Sequence, residues 1–240
     1  MSTLLENVEK VTAAHAALKT AIAAKGVTVP DGTKLSGMPA LVEQIQTGGG
    51  TPEPNMPSAV FTYDTSSAIT LPKTVIVDML EIVNLRFCFA YCAKLKSLTL
   101  PDGFGAKATN LQSFIGGCEE LTTLTLPNGC GTLAETLMFC FYNCAKLESL
   151  TLPDGFGAAA TNLDYCFSFD KSLTTITGTP NFKASLDLHY CIALTHDSLM
   201  VVINGLQTVT GATLTLGAEN LAKLTDEEKK VATDKGWTLA

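Results

Sequence analysis

The chain has 240 residues, 46% of them hydrophobic and 16% charged, with a formal net charge of -7. That apolar content supports a sizeable core, while the charged share falls below the usual quarter or so of a soluble domain. The acidic balance and the lack of any basic run exclude a nucleic-acid partner, which needs clustered Lys and Arg. No apolar stretch is long enough for membrane insertion.

Residues 3–25 carry a helical pattern. Leu4, Val8, Val11, His15, Leu18 and Ile22 recur in steps of four and three, a heptad seam, and seven alanines among them favour helix. Gly26 is a stop signal. Val27–Val29 reads as extended, Pro30-Asp-Gly32 as a turn, and Ser36 as the cap of a second helix to about Gln46 that buries Leu41, Val42 and Ile45. Residues 1–47 therefore form a small helical module, too small for a robust core alone. It either packs on the rest of the chain or forms a homo-oligomer through its seam. In a parallel coiled coil, His15 would bring imidazoles together and make assembly pH-sensitive; packed on the second helix, it would sit at an edge. Residues 48–58, with three glycines and three prolines, read as a linker.

From Ala59 onward the pattern turns to short strands. Val60–Tyr63 and Ala68–Leu71 look like an irregular entry to a 26-residue repeat with copies at 84–109, 110–135, 136–161 and a fading 162–184. The first and third copies are identical at 20 of 26 positions. A fixed period of this size signals stacked units, each burying its apolar face against its neighbours. Within a unit, Leu95, Leu98 and Leu100 line one side of a strand and Ser97 and Thr99 the other, and Pro101-Asp-Gly103 ends it. Leu85, Phe87 and Phe89 are expected to form the opposite wall of the core, with Phe104, Cys130 and Phe156 plugging it at the turn.

After the repeats, Thr195 or Asp197 can start a helix through Asn204, Leu214–Leu216 reads as a strand, and Thr225-Asp-Glu-Glu228 is a capping box opening a helix that Gly236 closes. Trp237–Leu239 is expected to finish against the last rung, so that residues of about 195–240 close the open end of the stack.

Eight cysteines, at 88, 92, 118, 130, 140, 144, 166 and 191, fall largely into repeat columns: Cys92, Cys118 and Cys144 in one, Cys88, Cys140 and Cys166 in another. They read as reduced core thiols, since cysteine packs as a small buried hydrophobe. Metal-ligand spacing is not met, because no His or carboxylate completes a tetrahedral set. No catalytic constellation stands out either. His196-Asp-Ser198 is a helix start rather than a triad, and GFGAKAT at 103–109 lacks the Gly-Lys-Ser/Thr order of a phosphate loop.

The frame NL...F...C...L..LTLP resembles the BspA-like (Treponema-type) leucine-rich repeat family over roughly residues 60–240. LTHDSLMVVINGL and the last 28 residues resemble the C-terminal part of such proteins. The stretch AIAAKGVTVPDGTKLSGMPALVEQI is similar to short modules of phage tail proteins and of surface proteins from gut bacteria. The resemblance implies an α+β fold: a leucine-rich-repeat solenoid of short stacked strands with a C-terminal helical cap, preceded by a small helical module. It implies adhesion or recognition of a protein or glycan at a cell surface or virion, with no catalytic residues and no cofactor. A phage tail component assembling through residues 1–47 is the alternative. The N-terminus shows no basic start, apolar block or cleavage site of a secretory signal, a departure from a cell-surface protein.

Two surfaces are candidates for binding. Ser97, Thr99, Thr123, Thr125, Ser149 and Thr151 extend into ladders of hydroxyls on the exposed strand face. Such a face would dock a strand or a polysaccharide, or it simply reflects good strand formers. On the other side of the unit, Tyr91, Tyr142, Asn143 and Phe169 stand where the second copy has Gly116 and Gly117. Aromatics that vary on a constant frame are what recognition surfaces use; the plain alternative is partial burial under a neighbouring loop.

Overall fold

A computed structural model describes residues 67–70 and 82–240. The expected N-terminal helices, with the seam of Leu4, Val8, Val11, His15, Leu18 and Ile22, the linker 48–58 and the segment Val60–Tyr63 lie outside the described residues.

The repeat appears in space as parallel strands one period apart. β1 (Ala68–Thr70) pairs with β2 (Ser97–Thr99), and β3 (Thr123–Thr125), β4 (Ser149–Leu152) and β5 (Thr175–Gly178) form a second sheet in that order. Its register sets Thr123 beside Ser149 and Ser149 beside Thr175, a spacing of one repeat at each step. Parallel pairing follows from the connectivity, because each strand returns only after its chain has completed a turn. β2 and β3 are not hydrogen-bonded to each other, so this strand wall has a seam after the first rung.

Alternation shapes the strand wall. Leu98, Leu124, Leu150 and Ile176 point inward and are buried, with hydroxyl residues on either side of each. A second inward column, Leu95, Leu121, Leu147 and Leu173, is fully buried. Each such side chain contributes about 1.5–3 kcal/mol of transfer free energy, and stacking makes the contribution repeat with every turn. Proline at 101, 127 and 153 follows directly, where its missing N–H stops the ladder.

The plug at the turn is a column as well: Phe104, Cys130, Phe156 and Phe182 are all buried, spaced one period apart. The second rung carries the small residue here, and it carries the large one, Phe114, where its neighbours have Cys88, Cys140 and Cys166. Phe114 lies 6.1 Å from Phe104 and 5.4 Å from Phe89, ring centre to ring centre. The exchange of Phe and Cys between two columns conserves volume within one rung, which close packing demands. All eight cysteines are buried and unbridged. Cys118, Cys144 and Cys191 direct their thiols to the carbonyls of Phe89, Ile115 and Phe167 at 3.2, 3.4 and 3.3 Å. Burial pushes the Cys130 thiol up to about 12 and those of Cys88 and Cys191 well above the ordinary range, so these sulfurs stay protonated.

The expected wall of Leu85, Phe87 and Phe89 needs correction. Leu85 and Phe89 are buried, but Phe87 is half-exposed and has a φ of 57°. Left-handed backbone at that point turns the side chain away from the core.

Past the repeats, β6 (Leu186–Asp187), β7 (Thr213–Thr215) and β8 (Thr238–Leu239) form a third parallel sheet. Helix α1 (His196–Asn204) starts at Thr195, whose hydroxyl accepts from the Ser198 N–H; Asp197 lies in the first turn. Ser198 has a further task. Its hydroxyl accepts from the Ile176 N–H at 3.0 Å and donates to the Thr174 carbonyl at 2.9 Å, closing the edge of β5 as a neighbouring strand would. A short α2 (Gly217–Leu221) precedes α3 (Asp226–Asp234), which begins with the expected capping box of Thr225 and Glu228. The His196 Nε2 to Glu228 Oε1 contact of 2.8 Å joins α1 to α3. Lys235 Nζ donates to the last carbonyls of α1, Ile203 at 3.1 Å and Asn204 at 2.8 Å. Trp237 is buried and donates its Nε1 to the Gln207 carbonyl.

Candidate recognition surface

Opposite the strand wall, each rung runs through a different backbone pattern. In the first, the N–H groups of Leu85, Phe87, Phe89 and Tyr91 donate to the carbonyls of Asn110, Gln112, Phe114 and Gly116 in the next rung, at 2.8, 2.9, 2.9 and 2.7 Å. The intervening Cys88 and Ala90 donate backward within their own rung, to Leu85 and Phe87. The second and third rungs repeat the ladder, from Leu111 to Gly117 and from Leu137 to Asn143. In these three rungs every second N–H bonds to the next rung and the others bond locally, Gly116 excepted, so most of this non-strand backbone is satisfied.

The pattern requires a left-handed residue at every fourth position. These are Phe87 and Tyr91, Ser113 and Gly117, Phe139 and Asn143, and Tyr165 and Phe169, with φ between 51° and 80°. Glycine or asparagine would occupy such positions at low cost; other residues lose roughly 1–2 kcal/mol. Five of these eight positions nonetheless hold an aromatic residue.

The aromatics touch. Tyr165 stacks on Phe139 with ring centres 5.0 Å apart and planes 8° from parallel. Phe139 meets Tyr142 edge-on at 5.2 Å, Tyr142 meets Phe169 at 5.5 Å, and Phe169 stacks on Tyr190 at 4.5 Å. His189 lies against Tyr190 at 3.7 Å, its Nδ1 2.6 Å from Asp187. The strip is open to solvent: Tyr165 is 53% exposed and Phe169 36%. A separate aromatic group sits on the first rung, where Arg86 lies 4.6 Å from the Phe87 ring centre and Tyr91 is 45% exposed.

The second rung parts the two groups. A Cβ on Gly117 would come within 2.7 Å of Tyr91 Cδ1, and one on Gly116 within 2.9 Å of the Phe139 carbonyl. Those glycines are therefore held by their neighbours, since Tyr91 leans over Gly117. Beside the gap, Asn143 Nδ2 donates to Glu119 Oε1 at 3.1 Å, and Lys146 pairs with Glu120 at 2.6 Å.

Of the residues that sequence variation singles out, Tyr142 and Phe169 are in contact within the strip, Asn143 flanks it, and Tyr91 stands across the glycine gap. Phe139, Tyr165, Tyr190 and His189 complete the strip without having been expected. For two of them the signal was present: Phe87, Phe139 and Tyr165 share one repeat position. Reading Phe87 as core hid that column.

The hydroxyl ladders occupy the opposite wall. Ser97, Thr99, Thr123 and Thr125 are exposed, and Ser149 and Thr151 half-exposed. Thr177 and Thr151 already share a hydrogen bond of 3.0 Å between hydroxyls. The seam after β2 interrupts the array, and cross-strand pairing alone is reason for Thr here. Among the described residues no group of three His, Cys, Asp or Glu side chains could hold a metal ion, and no helix is long and apolar enough to cross a membrane.

Residues 83–187 match the family model of the BspA type leucine rich repeat region, in 6 copies. No curated protein matches the chain. Among solved structures, the chain is similar to a leucine-rich repeat protein from Bacteroides ovatus, at 18% identity and a TM-score of 0.22, covering 64% of this chain and 44% of that one. The chain thus spans less than half the length of that protein.

Proposed function

We propose that this chain, with repeats similar to the BspA type over residues 83–187, is a non-enzymatic binding protein that recognises a protein or glycan through its aromatic strip. The repeats would form a solenoid closed by the helices after residue 195, with residues 1–47 as a separate module joined through the linker 48–58. One observation carries the reading. Five aromatic residues stand where the backbone favours glycine or asparagine, and they are exposed or half-exposed. Neither local conformation nor core burial rewards them there, and strained residues of this kind cluster at functional sites. Aromatic side chains supply large contact area at low entropic cost, the property of binding hot spots.

The test is a binding screen of the full chain against a glycan array and a panel of purified host proteins. Tyr142→Ala and Phe169→Ala are each expected to weaken a hit at least about tenfold, the loss of a hot-spot contact. Thr99→Ser and Thr125→Ser should leave it unchanged. Binding that survives both strip variants, or that follows the threonines instead, overturns the assignment.

A further inference from the structure

The loop-wall ladder that joins the first three rungs to their successors stops at the fourth. Leu163, Tyr165, Phe167 and Phe169 occupy the positions of Leu85, Phe87, Phe89 and Tyr91, and their N–H groups have no acceptor among the described residues. The cause is a shortfall of chain. Fourteen residue steps lead from Phe104 to Cys118, from Cys130 to Cys144 and from Phe156 to Asp170, but only nine lead from Phe182 to Cys191. Phe182 still fills the turn column, and Cys191 still bonds to the Phe167 carbonyl as Cys144 bonds to Ile115. Both ends of the connection are thus in place, and the missing five residues are those that would have run beside Leu163 and Tyr165.

A cleft of about 440 Å³ opens beside Leu163 and Asp164, next to Tyr165 in the chain. Thr161, Asn162, Leu163 and Asp164 form one side, Lys183 to Ser185 and Thr210 to Ala212 the other.

We infer that this cleft receives an extended peptide segment of a partner protein, whose carbonyls accept from the Leu163 and Tyr165 N–H groups and so complete the interrupted ladder. The inference does not rest on ligand binding by the aromatic strip, although the two share Tyr165. A peptide fits because the equivalent N–H groups in each preceding rung bind backbone carbonyls, so the edge already has the spacing of a rung. Exposed edges of this kind recruit strands. Asp164 and Lys183 stand at the cleft to meet side chains of either charge.

Amide exchange and an NMR titration of the full chain test this. In the free protein, the Leu163 and Tyr165 amides should exchange at least about 100-fold faster than Leu137 and Phe139, whose bonds are intact. Equal protection overturns the inference. The probe is the acetylated and amidated peptide Thr-Asn-Leu-Gln-Ser, a copy of residues 109–113 that supplies the carbonyls accepting from Leu85 and Phe87. At millimolar concentration it should shift the amide signals of Leu163 and Tyr165 saturably, and its all-D form should not. Thr210→Trp, which fills the cleft from an exposed position, should abolish the shifts while the Leu137 and Phe139 signals stay native. Lys183→Trp provides the same block should Thr210→Trp disturb the fold. No response to the peptide, equal response to the all-D form, or a response to neutral oligosaccharides instead, overturns the peptide assignment. Failure of the strip to bind a ligand leaves these measurements standing, since they are made on the unsubstituted chain and read the Leu163 and Tyr165 amides directly.

Discussion

The strand wall and the loop wall are built from the same 26 residues and end in opposite ways. On the strand wall, the last edge at β5 is closed by one side chain, Ser198, which stands in for the donor and acceptor of a missing strand. On the loop wall, the N–H groups of Leu163 and Tyr165 have no acceptor among the described residues. The strand wall repeats nearly the same residues in every rung, whereas the loop wall carries the aromatics and the glycines that differ between rungs. One wall holds the stack together with nearly constant residues, and the other carries the positions that differ between rungs, where the proposed recognition lies.

The sharpest way to break that contrast is at Ser198. Ser198→Ala removes the donor to Thr174 and the acceptor for Ile176 together, leaving a buried N–H unpaired, and should cost on the order of 3 kcal/mol in urea unfolding. A loss below about 0.5 kcal/mol would mean that β5 closes its edge by other means.

Asp170 tests the loop wall from inside. It occupies the column of Cys92, Cys118 and Cys144, fully buried. Its Oδ1 accepts from the Cys144 N–H at 2.8 Å, while Oδ2 has no partner. Burial raises its carboxyl well above the usual range. A carboxyl raised in the folded state binds its proton more tightly there than in the unfolded chain. Stability is therefore greatest below the ordinary carboxylate pKa and declines as pH rises from that value toward the folded one. Asp170→Asn should remove this decline and raise stability near neutral pH by about 2 kcal/mol. Unfolding curves of the two proteins that stay parallel from pH 4 to 8 would contradict it.

The smallest effect sharpens the cost of the aromatics. Tyr165→Gly relieves a left-handed tyrosine and loses its stacking on Phe139, so the net gain should be about 1 kcal/mol or less. A large destabilisation would make Tyr165 a structural residue, with its exposure incidental.

Legibility followed the backbone pattern. Strict alternation made the strand wall readable: Leu98 in, Ser97 and Thr99 out, Pro101 to stop. The capping box at Thr225 and Glu228 was equally plain, since it depends on residues three apart. Helix α1 offered two starts, and packing on β5 selected Thr195. The loop wall defeated the same reasoning at Phe87, because a left-handed residue reverses the side chain without leaving a mark in hydrophobic order. Tyr142 and Phe169 were found by comparing copies, while Tyr190 and His189 lie beyond the last copy and could not be.

The period, the inward leucine and cysteine columns and the outward hydroxyls were determined by the sequence alone, because each depends on local alternation repeated at a constant interval. Which aromatics meet, and what a connection five residues short does, were decided only by tertiary structure. Contact between rungs depends on register across 26 residues. A missing segment becomes a cleft only when both of its ends are held in their columns.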